Sequence, residues 1–162
     1  MDTSIVQQNA RAALDGTKAF PAIVADLMAA GVEYYHVDYV ARRKTFYSAD
    51  GRSLAATIDY DGLPPVAADF DLAEIKAAIL DSQRHSQTYR DFTRRVMAAG
   101  VQGYTAYLRG QRVTYQGRQG DQHTEWFPGA QPAKPAPRES DRSAEWRLYF
   151  TGMASGWPAS RK

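Results

Sequence analysis

The sequence predicts an α+β domain made of two tandem α-α-β-β-β units with antiparallel sheets, packed with pseudo-twofold symmetry and followed by a C-terminal tail. The first observation is a repeat: residues 28–32, MAAGV, occur again unchanged at 97–101. The offset of 69 residues holds without a gap between 2–58 and 71–127. A repeat of this length indicates a duplicated structural unit. The second observation is that each copy changes from helical periodicity to strand alternation at this motif.

The first unit opens with two predicted helices. Residues 3–15 carry apolar side chains at helical spacing, and Asp2 is a suitable N-cap. A second helix begins between Thr17 and Pro21, because proline is tolerated only in the first turn. This helix ends where Gly31 can take the left-handed conformation that caps a helix C-terminus.

Three strands complete the first unit, at residues 33–40, 44–47 and 53–58. Asp50-Gly51 predicts the turn between the last two. Alternation places successive side chains of the first strand on opposite faces. One face carries Tyr35, Val37 and Tyr39, and the other carries Tyr34, His36 and Asp38.

The second unit repeats this order. Its helices reuse the apolar spacing of the first pair, and its strands are predicted at residues 104–109, 112–116 and 122–127. Gly110-Gln111 predicts a two-residue hairpin turn. Three arginines are assigned to the solvent-exposed side of the fourth helix: Arg90, Arg94 and Arg95.

The predicted domain organisation follows from the repeat. Residues 1–58 form the first unit, 59–70 a connector, and 71–128 the second unit, all within one compact domain. Residues 129–162 are a Pro-rich tether and tail. Within this tail, residues 145–150 alternate and are interpreted as either a seventh strand or a docked extended segment.

Composition restricts the class of protein. The chain has 162 residues, no cysteine and no run of 18 apolar residues, and its N-terminus lacks the basic-then-apolar order of a signal peptide. We therefore expect a cytoplasmic protein with no membrane partner. The net charge is +2, and it is concentrated in the tail, so residues 1–128 are close to neutral. A near-neutral folded part argues against a dedicated nucleic-acid binder.

The usual catalytic and metal-binding motifs are missing. His36 and Asp38 share a strand face and are a candidate acid/base pair or ligand pair, but a solvated strand face also explains them. His85 and His123 lie far away in sequence, without the spacing of a zinc site. We therefore predict no metal, no cofactor and no catalytic residue.

Tyrosine and arginine are the more informative residues. Tyrosines concentrate on the strands, and arginines concentrate at the predicted hairpins, where Arg43 and Arg112 occupy equivalent positions of the two copies. This composition is typical of binding hot spots and of anion or nucleobase recognition, although packing of a half-buried sheet also explains it. The candidate ligand-binding residues are Tyr34, His36, Asp38, Arg43, Tyr107 and Arg112.

A series of packing positions and turns also runs along the chain: Phe20-Pro21, Gly31-Val32, Tyr35-x-Val37-Asp38, Tyr60, Leu63, Tyr89-x-x-Phe92, Ala99-Gly100-Val101, Val113-Thr114-Tyr115 and Pro128. In this order they resemble a bacterial family of uncharacterised proteins that is often labelled phage-envelope-like. The resemblance covers residues 3–128. It implies a fold rather than an activity, and the label implies no role in a virion.

Two hypotheses for function follow. The first is a cytoplasmic binding or regulatory protein without catalysis, with a shallow shared surface between the halves and a small ligand, a protein or a second copy as partner. The alternative is a small enzyme or small-ligand sensor with its site in the cleft between the repeats, where Tyr34, His36 and Asp38 supply polar groups. Nucleic-acid association through the tail and the arginine-bearing hairpins is the weakest possibility.

Overall fold

The structure, a computed structural model, describes residues 1–130. The predicted tail from 131 onward, with the strand or docked segment at 145–150, lies outside the described residues. Within residues 1–130 the helices are α1 Thr3–Asp15, α2 Phe20–Ala29, α3 Leu72–Arg84 and α4 Tyr89–Ala98. The strands are β1 Val32–Asp38, β2 Arg43–Ser48, β3 Ser53–Thr57, β4 Val101–Tyr107, β5 Arg112–Gly117 and β6 Gln122–Trp126.

The fold class is α+β, as predicted, but the sheets of the two halves are joined. All six strands form one antiparallel sheet in the order β3-β2-β1-β4-β5-β6. We expected each unit to have its own antiparallel sheet, and that expectation is wrong. Pairing β1 with β4 satisfies backbone N–H and C=O groups that each half would otherwise leave at an open edge.

The helix ends use the predicted residues. The carboxylates of Asp2 and Asp71 accept hydrogen bonds from the backbone N–H groups of Ile5 and Glu74, and so cap α1 and α3. α2 carries proline in its first turn. The repeated motif then ends α2 and α4, with Gly31 and Gly100 at φ of 89° and 95°. Only glycine takes such values without strain, so the chain can turn directly into β1 and β4.

Strand alternation separates the two faces of the sheet. One set of side chains is buried against the helices in a single hydrophobic core. Its sheet members include Tyr35, Val37, Phe46, Tyr104, Ala106 and Tyr115, and its helix members include Val6, Leu27, Ile75 and Val96. The other set, on what we call the outer face, is half-buried or exposed along every strand.

The hairpin between β4 and β5 differs from its prediction. β4 begins at Val101 and ends at Tyr107, and a four-residue turn over 108–111 replaces the expected two-residue turn at Gly110-Gln111. Gln111 takes φ of 53° at the end of this turn. A left-handed residue in that place returns the chain into the next strand.

Arg95 was predicted to be solvated, and this is wrong. Its guanidinium donates to Glu74 at 2.9 Å, to Asp81 at 2.6 Å and to Gln87 at 2.8 Å. Arg95 therefore ties α4 to α3, and only 30% of its side chain is exposed. No helix within residues 1–130 is both long enough and apolar enough to cross a membrane.

The two cap glycines provide a matched test of backbone geometry. A Cβ on Gly100 would lie 2.0 Å from the backbone oxygen of Asp69, whereas a Cβ on Gly31 would come no closer than 3.4 Å to Met1. We expect Gly31→Ala to cost only the left-handed strain of about 1–3 kcal/mol. Gly100→Ala adds a backbone clash, which we expect to cost at least about 2 kcal/mol more.

Urea unfolding of both variants at constant m-value measures this difference. Equal losses of stability in the two variants would show that the approach of Asp69 to Gly100 contributes nothing.

Candidate functional site

All six candidate residues lie on the outer face of the sheet. Tyr34, His36 and Asp38 point outward from β1, and the strand register aligns their neighbours with them. Arg43 lies opposite Asp38, and Tyr107 lies opposite Tyr34. Arg112 in turn lies opposite Tyr107. Alternation and register therefore bring together residues that are up to 78 positions apart in the chain.

A line of aromatic and arginine side chains crosses this face near the β4–β5 hairpin. The Tyr34 and Tyr47 rings stack with centroids 4.7 Å apart, and the Tyr34 and Tyr107 rings lie 6.1 Å apart. The Arg112 guanidinium lies 5.8 Å from the Tyr107 ring and 5.3 Å from the Trp126 ring. We call this set the aromatic row: Tyr47, Tyr34, Tyr107, Arg112 and Trp126.

A shallow, open depression of about 540 Å³ lies beside the β4–β5 turn, along the middle of the aromatic row. Glu33 and Arg109 form its rim, and the Arg109 guanidinium is 3.5 Å from the Glu33 carboxylate. With 82% of the Arg109 side chain exposed, this ion pair adds little stability. The depression is lined by Glu33, Tyr34, Tyr107, Arg109, Gly110 and Arg112.

His36 and Asp38 do not bond to each other. His36 Nδ1 lies 3.0 Å from the hydroxyl of Thr105 across the β1–β4 junction. Asp38 accepts a hydrogen bond of 2.8 Å from the backbone N–H of Ala41 in the β1–β2 turn. Each side chain therefore has a structural partner of its own, and they do not form an acid/base pair.

Metal binding has no support from the arrangement of ligands. Among residues 1–130, no group of three or more His, Cys, Asp or Glu side chains is placed to hold a metal ion. A second depression, of about 310 Å³, lies between α1 and α2. Its Lys18 already donates to Asn9 and to Asp26, so its charged groups are paired.

A second cluster, which the sequence analysis missed, lies on the inner face of the sheet. Lys44 points inward from β2 and is only 5% exposed. Its ammonium lies 4.6 Å from the Tyr89 ring and 5.2 Å from the Tyr35 ring. It makes no hydrogen bond and no ion pair within the described part of the chain. Burial lowers the pKa of Lys44 to about 8.

Tyrosine hydroxyls from the helices and the sheet meet in the same layer. The hydroxyls of Tyr89 and Tyr104 are 2.7 Å apart and share a hydrogen bond. The buried hydroxyls of Tyr39 and Thr93 have no partner within residues 1–130. Burial raises the pKa of Tyr39, Tyr89 and Tyr104, so these phenols stay neutral at pH 7.

One sequence signal could have revealed this cluster. Lys44 occupies an inward position of a strand whose other inward residues are Phe46 and Ser48. Sixty-nine residues further on, at the offset that relates the two MAAGV motifs, the sequence has Val113, which is an ordinary core residue. A lysine in place of a core valine is unusual, since lysine is almost never fully buried without a partner.

The comparisons with known proteins define a family but no activity. The family described as "Protein of unknown function (DUF1398)" matches residues 8–124, which is more than half of the chain. The chain belongs to this family. The match agrees with the expected membership of a family of uncharacterised proteins, and it names no ligand or reaction. No curated protein matches the chain.

Lys44 leads to a prediction about stability and pH. Its pKa is 10.5 when unfolded and about 8 when folded, so the unfolded state binds more protons between these values. The free energy of unfolding should therefore rise with pH in this window. Between pH 7 and pH 9.5 the free energy of unfolding of wild type should rise by about 2 kcal/mol more than that of Lys44→Met. Urea titrations of both proteins at several pH values measure it.

Wild type and Lys44→Met both retain the tyrosines. Subtracting the free energy of unfolding of one protein from that of the other therefore removes the contribution of the tyrosines to the pH dependence. Lys76 on α3 is exposed, so Lys76→Met is the matched control and should follow the wild-type pH profile. Parallel pH profiles for wild type and Lys44→Met would contradict the assignment of a desolvated ammonium to Lys44.

Proposed function

We propose that this protein is a binding or regulatory protein without catalysis, and that it holds its ligand or partner on the outer face of the sheet. One observation supports this most: the aromatic row is assembled from five strands on a face that no element of residues 1–130 covers. Tyr, Trp and Arg are the residues that most often dominate binding energy.

The row is organised before any ligand arrives. Tyr34 already stacks on Tyr47 and lies beside Tyr107, and the Arg112 guanidinium already lies close to the Tyr107 and Trp126 rings, so little side-chain entropy remains to be lost on binding. The face is also open to water. Catalysis usually requires a site that excludes water and concentrates electrostatic effects, so an open face favours binding over reaction.

We further propose that the two halves are tandem repeats related by a pseudo-twofold axis at the β1–β4 junction. His36 and Thr105 are 69 residues apart, which is the offset of the repeat, and they bond directly. The strand order reads outward from this junction as β1-β2-β3 on one side and β4-β5-β6 on the other.

With this symmetry, equivalent positions of the two halves can be compared to find which side chains the fold requires. The repeat pairs Tyr47 with Gln116, Tyr107 with Asp38 and Trp126 with Thr57. Polar residues therefore serve at three equivalent outward positions, and the sheet does not require an aromatic side chain there. The fourth pair, Tyr34 with Gly103, has a packing reason, since a Cβ on Gly103 would lie 2.4 Å from the oxygen of Val37.

We propose as well that the protein is cytoplasmic. The absence of cysteine fits the reducing cytoplasm. We also propose that the chain is related to the proteins labelled phage-envelope-like, and this relationship implies no role in a virion. A small ligand is the first candidate partner, and a protein or a second copy of the chain is the next.

A thermal-shift screen of metabolites tests the outer face. A ligand that binds only the folded state raises the melting temperature by mass action. We expect a hit that shifts wild type by at least about 2 °C, which Tyr47→Ala abolishes and the matched control Gln116→Ala retains. If no compound raises the melting temperature, gel filtration at several protein concentrations tests for a dimer, which Tyr47→Ala should disrupt. Hits or dimers that survive Tyr47→Ala would overturn the proposal.

The alternative, a small enzyme or small-ligand sensor, is favoured by a different observation. Lys44 is a buried amine with a pKa of about 8, and a neutral amine is a nucleophile toward carbonyl compounds. This alternative places the reactive group on the inner face between sheet and helices, away from Tyr34, His36 and Asp38.

Reductive alkylation distinguishes the alternative from the main proposal. A small aldehyde condenses with a neutral amine with loss of water, and cyanoborohydride reduces the resulting imine to a stable secondary amine. If Lys44 is accessible and reactive, peptide mapping at pH 7 should show it modified at least about tenfold faster than exposed Lys76, because burial lowers the pKa of Lys44 to about 8. Modification of Lys76 before Lys44 would remove the enzyme alternative.

A further inference from the structure

We infer that the depression beside the β4–β5 turn is an anion site, and that the ligand is a small molecule carrying a carboxylate or phosphate group. This inference rests on the proposed function and adds the chemical class of the ligand. It concerns Arg112, Arg109 and the turn between them, which together line one side of the depression.

Arg112 is held in place but its charge is not neutralised. Tyr107 and Trp126 lie on either side of its guanidinium in the row, and no carboxylate pairs with it within residues 1–130. The guanidinium carbon lies 5.8 Å and 5.3 Å from these two ring centroids, and its N–H groups donate to no acceptor within residues 1–130, so they remain available. A planar fork of donors matches the two oxygens of a carboxylate or phosphate.

The turn adds a second cation and a backbone donor. Arg109 is 82% exposed and is held only by its long contact with Glu33. In the equivalent turn of the first half, the N–H of Ala41 donates to Asp38. The residue at the Asp38 position of the second half is Tyr107, which has no carboxylate, and the Gly110 N–H has no hydrogen-bond partner within the described residues.

The electrostatic balance of the depression favours an anion. Its charged lining consists of Arg109, Arg112 and Glu33, so it carries one positive charge in excess. The walls are the rings of Tyr34 and Tyr107, which suit a planar or apolar body attached to the anionic group. A volume of about 540 Å³ holds a small molecule of this kind.

Arg43, one of the six candidate residues, does not line the depression and therefore provides an internal control. It occupies the position equivalent to Arg112, is also exposed, and also lacks an ion pair within residues 1–130. Its strand neighbours are Asp38 and Thr57 instead of Tyr107 and Trp126. Arg43 therefore has the same charge and strand position, with an acidic neighbour in place of the aromatic rings.

Two-dimensional NMR titrations of the full chain at fixed ionic strength test the site. The probes are phenyl phosphate, benzoate and inorganic phosphate, with sodium chloride as compensating salt. We expect saturable shifts at the Gly110 amide and the Arg112 side-chain N–H, with phenyl phosphate tighter than inorganic phosphate because its ring adds contact with the tyrosines. Arg112→Gln should weaken phenyl phosphate at least about tenfold, and Arg43→Gln should change it less than about twofold.

Two further variants distinguish a loss of anion binding in Arg112→Gln from a folding defect. Arg112→Lys keeps the charge but loses the planar fork, and we expect intermediate affinity. Glu33→Gln removes the competing carboxylate, and we expect tighter binding. Shifts that do not saturate, or that are equal in Arg112→Gln and Arg43→Gln, would overturn the anion site. If a ligand without an anionic group still stabilises the protein in a Tyr47-dependent manner, the proposed function stands without this inference.

Discussion

The antiparallel pairing of β1 with β4 is the contact on which the rest of the structure depends. It joins two helix-helix-strand-strand-strand segments into one sheet, so that four helices and six strands share a single core. The same pairing aligns Tyr34 with Tyr107 and His36 with Thr105. Without this register the aromatic row would be divided into Tyr47 with Tyr34 on one half and Tyr107 with Arg112 and Trp126 on the other.

The sheet has two faces with different physical characters. The inner face concentrates aromatic rings and hydroxyls around a desolvated lysine, where the low dielectric raises the pKa of phenols and lowers that of the amine. The outer face carries Arg43 and Arg112, which are exposed and form no ion pair within residues 1–130. The buried, desolvated lysine and the proposed recognition surface therefore lie on opposite sides of one sheet.

Local patterns predicted local structure well and missed what depends on contacts distant in sequence. Gly31 and Gly100 marked the helix ends because the left-handed conformation is a property of one residue. Alternation placed Tyr34, His36 and Asp38 on one face for a similar reason. The β1–β4 pairing has no local signal, and Lys44 and Arg95 were missed because a charged residue is assigned to solvent unless its neighbours are known.

The edge-to-edge junction has a consequence for biosynthesis. When residues 1–58 have left the ribosome, the strand that will become the centre of the sheet is still an edge, with its β4-facing N–H and C=O groups unpaired. It stays so until β4 is synthesised, and β4 begins 63 residues after the end of β1. Exposed strand edges of partly made chains are sites of intermolecular pairing. The nascent first half is therefore the stage at which this protein is most exposed to aggregation and most dependent on chaperones.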